Sequence, residues 1–86
     1  MRPHSKKVFA MKITLKDQKL ALSQNIKAQR KMQGVSQEKL ALLANIDRSY
    51  MSEVERCLAN PSIEALVRIG NALKTTPSEL LKIEGD

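Results

Sequence analysis

Residues 36–56 read SQEKLALLANIDRSYMSEVER. Ser36 can accept the free N–H groups at a helix start, and Leu40, Ala41 and Ala44 then fall on one side of the helix that follows. Asn45 comes next, and Asn is the non-glycine residue most at ease in a left-handed turn. Ile46 packs back, and Asp47 is placed to cap a second helix, RSYMSEVER, whose inner face is Met51 and Val54. Two short helices with only Asn45 and Ile46 between them have the spacing of a helix-turn-helix.

The flanking sequence extends this pattern in both directions. Upstream, Thr14 and Asp17 stand three apart at a capping-box-like start. Leu22, Ile26 and the Ala28–Gln29–Arg30 region give that helix a stripe, and Gly34 closes it with positive φ. Downstream, Pro61 breaks the chain and Ser62 caps IEALVRIGNAL, with Ile63, Leu66, Ile69 and Leu73 in register. Thr76-Pro77-Ser78-Glu79 combines a capping box with proline at the first helical position. Leu80, Leu81 and Ile83 give the last helix its apolar side. The expected fold is all-α, a compact five-helix bundle containing a helix-turn-helix.

The 86 residues are enough for one small domain, whose marginal core oligomerisation would help. There is no Trp, one Tyr and one Phe, so the core must be aliphatic, which favours helices over a β-sandwich. The net charge of +6 is unevenly spread. Residues 1–16 carry Arg2, Lys6, Lys7, Lys12 and Lys16 and no acid, whereas the remaining 70 carry ten basic and nine acidic side chains. The chain thus divides into a basic arm at 1–16, loose or a short strand at VFAMKITL, and a nearly neutral helical domain at 17–86. Such an arm suits nucleic acid or an acidic membrane surface, or is a solvated tail. The start does not read as a signal peptide, because Lys12 interrupts VFAM before an apolar region forms. The apolar run LALLA is far too short to span a membrane, and a lone cysteine, Cys57, fits a reducing cytoplasm. His4 and Cys57 make neither a zinc site nor a catalytic pair, so the expectation is no enzyme, no metal and no cofactor.

With Met51 and Val54 inward, Arg48, Ser49, Ser52, Glu53 and Arg56 fall on the opposite face of RSYMSEVER. They are hydrogen-bond donors and acceptors, and an α-helix fits the major groove, where base pairs differ in their donor and acceptor patterns. Arg48 suits guanine O6 and N7. Ser49 and Ser52 take either role. Glu53 can accept from cytosine N4 but repels phosphates, and Tyr50 suits a phosphate or a thymine methyl. Gln37, in the first turn of the preceding helix, suits a phosphate aided by the helix dipole. The alternative is a solvated polar face.

The run from Gly34 to Leu81, with SQEKLA, RSYMSEVER, NPS and P–EL at their observed spacings, resembles the lambda-repressor-like helix-turn-helix domains, also called the xenobiotic-response-element family. The resemblance covers residues 20–83. It implies that Gln37 touches backbone phosphate and that Arg48, Ser49, Ser52 and Glu53 face bases. It places Tyr50 and Arg56 near sugar-phosphate and Asn60 in a loop approaching phosphate. It also implies a partly buried ion pair between Arg30 and Glu55. Two positions depart from the pattern: Asn45 and Cys57 stand where turn glycines are common, and Cys57 in that conformation costs about 1 kcal/mol. Size and the RSYMSEVER pattern also resemble restriction–modification controller proteins, while Cro-type phage repressors and plasmid antitoxins share the fold. The implied function is a cytoplasmic transcriptional regulator that binds double-stranded DNA at a palindromic operator as a homodimer, with an antitoxin of a toxin–antitoxin pair or a Cro-type phage repressor as the alternative; the pairing is expected from the bundle itself, through the last two helices around Leu73 to Ile83. RNA polymerase is a further candidate partner, and acidic residues such as Glu38 or Glu53 could make that contact.

Overall fold

Four of the five helices among the described residues begin at a hydroxyl that holds their free N–H groups. A computed structural model describes residues 12–84; of the arm read at 1–16, residues 1–11 lie outside the described residues, while 12–14 form no strand and Leu15 and Lys16 already belong to the first helix. Helix α1 (Leu15–Gln33) opens with a complete capping box. The Asp17 N–H donates to Thr14 Oγ1 at 3.0 Å, and the Thr14 N–H donates to Asp17 Oδ2 at 3.0 Å. Ser36 starts α2 (Gln37–Ala44), Ser62 starts α4 (Ile63–Leu73), and Thr76 starts α5 (Pro77–Leu80), each accepting from the N–H three residues on. At Thr76 only this forward bond forms, so the expected box is half made. Helix α3 (Arg48–Glu55) follows Asp47, but no side-chain cap bond forms there. The last helix ends at Leu80, short of Ile83.

Among the described residues, three left-handed positions turn the chain without glycine: Asn45 (φ 55), Cys57 (φ 64) and Lys74 (φ 60). Asn45 supplies the helix-turn-helix turn, and Gly34 (φ 66) ends α1 as expected. Cys57 has the strained backbone expected of it, and its thiol donates to the Lys19 carbonyl at 3.6 Å. Lys74 was not foreseen. Its turn brings Thr75 back so that the Thr75 N–H donates to the Gly70 carbonyl at 2.8 Å. A Cβ at Gly70 would stand 3.0 Å from the Thr75 carbonyl oxygen, so any larger residue there would push the returning chain back by a few tenths of an ångström.

Helix α1 packs on α3 and α5, and α2 packs on α3 and α4. Leu22, Ile26, Leu40, Ala41, Ala44, Met51, Val54, Leu66, Ile69, Leu73 and Leu80 form one core, with Ala59 from the loop. Two expectations fail here. Ile63 is 76% exposed, because the buried side of α4 runs through Ala65, Leu66, Ile69, Gly70 and Leu73. On α1, Ala28 is exposed and the stripe ends instead in the Arg30 side chain.

Amide side chains spaced along α1 hold the end of the chain. Gln18 Nε2 donates to the Leu81 carbonyl at 2.9 Å, and Asn25 Nδ2 donates to those of Leu80 and Lys82 at 2.8 and 2.9 Å. Gln33 Nε2 donates to the Leu73 carbonyl at 2.8 Å. These bonds satisfy carbonyls that the ends of α4 and α5 leave without helical partners.

The Arg30–Glu55 pair forms with fork geometry. Arg30 Nε meets Glu55 Oε2 and Arg30 Nη2 meets Glu55 Oε1, both at 2.8 Å, with Glu55 only 2% exposed and Arg30 20%. Replacing Arg30 by Met strands a buried carboxylate and is expected to cost about 3 kcal/mol, measured by urea unfolding. The Asp17 carboxyl titrates below the ordinary carboxylate range, held chiefly by the Thr14 N–H, then by the Thr14 hydroxyl and the Lys16 charge. A group depressed on folding stabilises above its unfolded value and loses that effect as pH falls through its folded value. Acidification below the ordinary carboxylate range should therefore fray the first turn of α1, seen as faster amide exchange at residues 15–18 than in the middle of the helix.

Candidate nucleic-acid interface

Helix α3 has two unlike sides. Met51, Val54 and Glu55 are buried, and Arg48, Ser49, Glu53 and Arg56 are exposed, with Ser52 half-buried beside them. The turn of Asn45–Ile46 and the packing on α1 and α2 hold this helix so that its polar side faces outward. Arg48 Nη1 lies 3.8 Å from Glu38 Oε1 of α2, with both side chains well exposed. A pair so exposed contributes little and is readily exchanged for another partner. The Ser49 hydroxyl donates to Asp47 Oδ2. This corrects the capping role expected of Asp47: the hydroxyl two residues on takes the oxygen that a helix N–H would have used. That bond is the main reason the Asp47 carboxyl titrates below its ordinary range, with the Ser49 and Tyr50 amides adding to it.

The remaining predicted residues are placed differently. Tyr50 is half-buried and packs against the core. It lines an open depression of about 320 Å³ between the turn and the start of α4, with Ile46, Asp47, Ser62, Ala65 and Arg68 among its walls. Asn60 is exposed in the loop between α3 and α4. Gln37 is the first residue of α2, where backbone N–H groups have no helical acceptor. Its Nε2 donates to Glu55 Oε1 at 3.2 Å, so it is tied to the buried ion pair. Sequence reasoning missed that bond, and also Arg68, whose Nη1 donates to the Asn45 carbonyl at 3.1 Å and whose Nη2 meets Glu64 Oε2 at 2.8 Å. The i,i+4 spacing of Glu64 and Arg68 was the available signal for the second contact.

Among the described residues no group of three or more His, Cys, Asp or Glu side chains is placed to hold a metal ion. No described helix is long and apolar enough to cross a membrane. What the outer side of α3 offers is an array of charged and neutral donors and acceptors on a fixed helix.

The model of the HTH_3 family, described as helix-turn-helix, matches residues 26–80. The chain belongs to the HTH_3 helix-turn-helix family. Within HTH_3, the matched span begins at Ile26 in the core of α1 and ends at Leu80 in α5, so it takes in all of the core residues but Leu22. The chain is 33% identical over 73 residues to Control protein C.SmaI of Serratia marcescens, a match covering 85% of this chain and 87% of that protein. It is 41% identical over 54 residues to the immunity repressor protein of Bacillus phage phi105, covering 63% of this chain and 38% of the repressor. Among solved structures it is similar to the restriction-modification controller protein C.AhdI from Aeromonas hydrophila, with a TM-score of 0.69, 37% identity, and coverage of 72% of this chain and 94% of that one. That likeness and the HTH_3 match agree with the all-helical bundle expected from the sequence.

Proposed function

We propose that this protein is a sequence-specific DNA-binding transcriptional regulator of the restriction–modification controller type, acting on a palindromic operator as a homodimer. The observation that carries this reading is the outer side of α3, where Arg48, Ser49, Ser52, Glu53 and Arg56 stand opposite the buried Met51, Val54 and Glu55. A helix of this kind fits the major groove and reads base edges through short polar and guanidinium side chains. In this reading Arg48 exchanges Glu38 for guanine, Ser49 and Ser52 donate or accept, and Glu53 accepts from cytosine. Arg56, Tyr50, Asn60 and Gln37 meet the sugar-phosphate backbone.

The controller assignment is supported by C.SmaI and C.AhdI, which match along most of their own lengths. The phage repressor matches along 38% of its length and so supports the alternative of a phage-type repressor less well.

A single helix-turn-helix reads few base pairs, and two copies on a palindrome provide affinity and register. The expected pairing surface needs revision. Leu73 and Leu80 are each only 1% exposed and belong to the monomer core. Half-buried Leu81 and Ile83, with the exposed Ile63 and Val67 on α4, remain on the last two helices and the residues after them to serve it.

Arg48→Ala is expected to cost about 1–3 kcal/mol in operator affinity and to relax selection at one base position, read by binding-site selection from a random pool. Unchanged base preference would show that α3 reads DNA differently. Light scattering should give twice the 9.6 kDa chain mass. A monomer mass at every concentration would remove the homodimer.

A further inference from the structure

Gln37 is not a loose surface side chain. It is half-buried at the head of α2, and its Nε2 donates to Glu55 Oε1 at 3.2 Å. The same oxygen accepts from Arg30 Nη2 at 2.8 Å, while Oε2 accepts from Arg30 Nε at 2.8 Å. Arg30 is fixed in turn, since its Nη1 donates to the Val35 carbonyl at 3.1 Å. The main chain is tied as well, because the Ser23 hydroxyl donates to the Glu55 carbonyl at 2.6 Å. The Glu55 carboxylate therefore cannot turn, and its Oε1 has a lone pair left for Gln37. An ionised carboxylate only accepts, so the amide nitrogen of Gln37 must face it rather than the amide oxygen. That nitrogen carries two hydrogens. One is used on Glu55, and the other is available to a second acceptor.

We propose that Glu55 is a positioning residue for the DNA backbone, fixing the Gln37 amide so that its second N–H meets a phosphate oxygen. This rests on the DNA-binding reading above, in which Gln37 contacts phosphate. An unrestrained glutamine loses rotamer freedom when it grips a phosphate, whereas one already held has lost that freedom on folding. The buried ion pair thus has a second task, conveyed through one shared oxygen atom. It raises affinity for every sequence alike, because phosphates carry no base identity.

The test is a double-mutant cycle. A duplex selected by the wild-type protein from a random-sequence pool, and a scrambled duplex of the same length, are titrated at one salt concentration. The proteins are wild type, Gln37→Ala, Glu55→Gln and the double variant. Gln37→Ala should weaken both duplexes by roughly tenfold, the size of one hydrogen bond to a charged group, and leave their ratio unchanged. Glu55→Gln should weaken the wild type by about three- to tenfold and fail to weaken the Gln37→Ala background. Removing the negative charge acts equally in both backgrounds, so only an effect passing through Gln37 depends on the background. Equal fold-changes in both overturn the positioning role and leave the DNA-binding reading standing. An unchanged affinity in Gln37→Ala removes the phosphate contact, and the positioning role with it. A wild-type protein that selects no duplex overturns the DNA-binding reading itself. Should Glu55→Gln fail to fold, Arg30→Lys keeps the charge but loosens the fork, and the same comparison between backgrounds applies.

Discussion

A carboxylate buried at the end of α3 governs how three helices meet. A carboxylate taken out of water needs directional partners, and Glu55 has them on two sides. Arg30 reaches it from α1 and Gln37 from the start of α2, while Ser23 holds its main chain. Apolar contacts such as those of Met51 and Val54 fill volume, but they are non-directional and tolerate small rotations. The forked ion pair does not. It fixes the angle of α3 against α1 and α2, and with it the direction in which Arg48, Ser49, Ser52 and Glu53 point. A surface that must match a regularly spaced ligand depends on that angle more than on total stability.

The polar residues on and near the outer side of α3 are held with graded strength. Glu55 and Gln37 belong to a largely buried network, whereas Arg48 with Glu38 makes an exposed contact of low strength. Rigid parts thus set position, and loosely held parts stay able to exchange partners. Arg68 has an intermediate part. By bonding the Asn45 carbonyl, it ties the left-handed turn to α4 and keeps the two halves of the helix-turn-helix in one body with the rest of the chain.

Much of this was legible in the sequence because its signals are local. Ser36, Ser62 and Thr76 announce helix starts, and Gly34 and Asn45 announce stops, since caps and left-handed turns are decided within a few residues. The Arg30–Glu55 pair came from family resemblance, since nothing in the local sequence joins residues so far apart. What stayed hidden needed three-dimensional neighbours. Ile63 follows the period of α4 yet lies in its first turn, where no other helix covers it. Asp47 looks like a cap until Ser49 claims its oxygen. Gln18, Asn25 and Gln33 read as ordinary helix surface until the carbonyls they hold come into view. Gln37 was expected to face a phosphate, and its bond to Glu55 depends on a contact across two helices.

Those three amides on α1 have a consequence for synthesis. Each bonds to a carbonyl 40 or more residues later in the chain. Helices α2 and α3 can pair as soon as they are made, because only Asn45, Ile46 and Asp47 lie between them. Helix α1 is made first yet finds its amide partners last, only when residues 73–82 have left the ribosome. Until then the apolar side of α1 lacks α5 and Leu80. Closing so long a loop is entropically costly, and the contacts that reward it arrive together at the end. The nascent chain therefore gains the α1–α5 part of its order late, and a ribosome stalled before residue 80 holds an incomplete, exposed core.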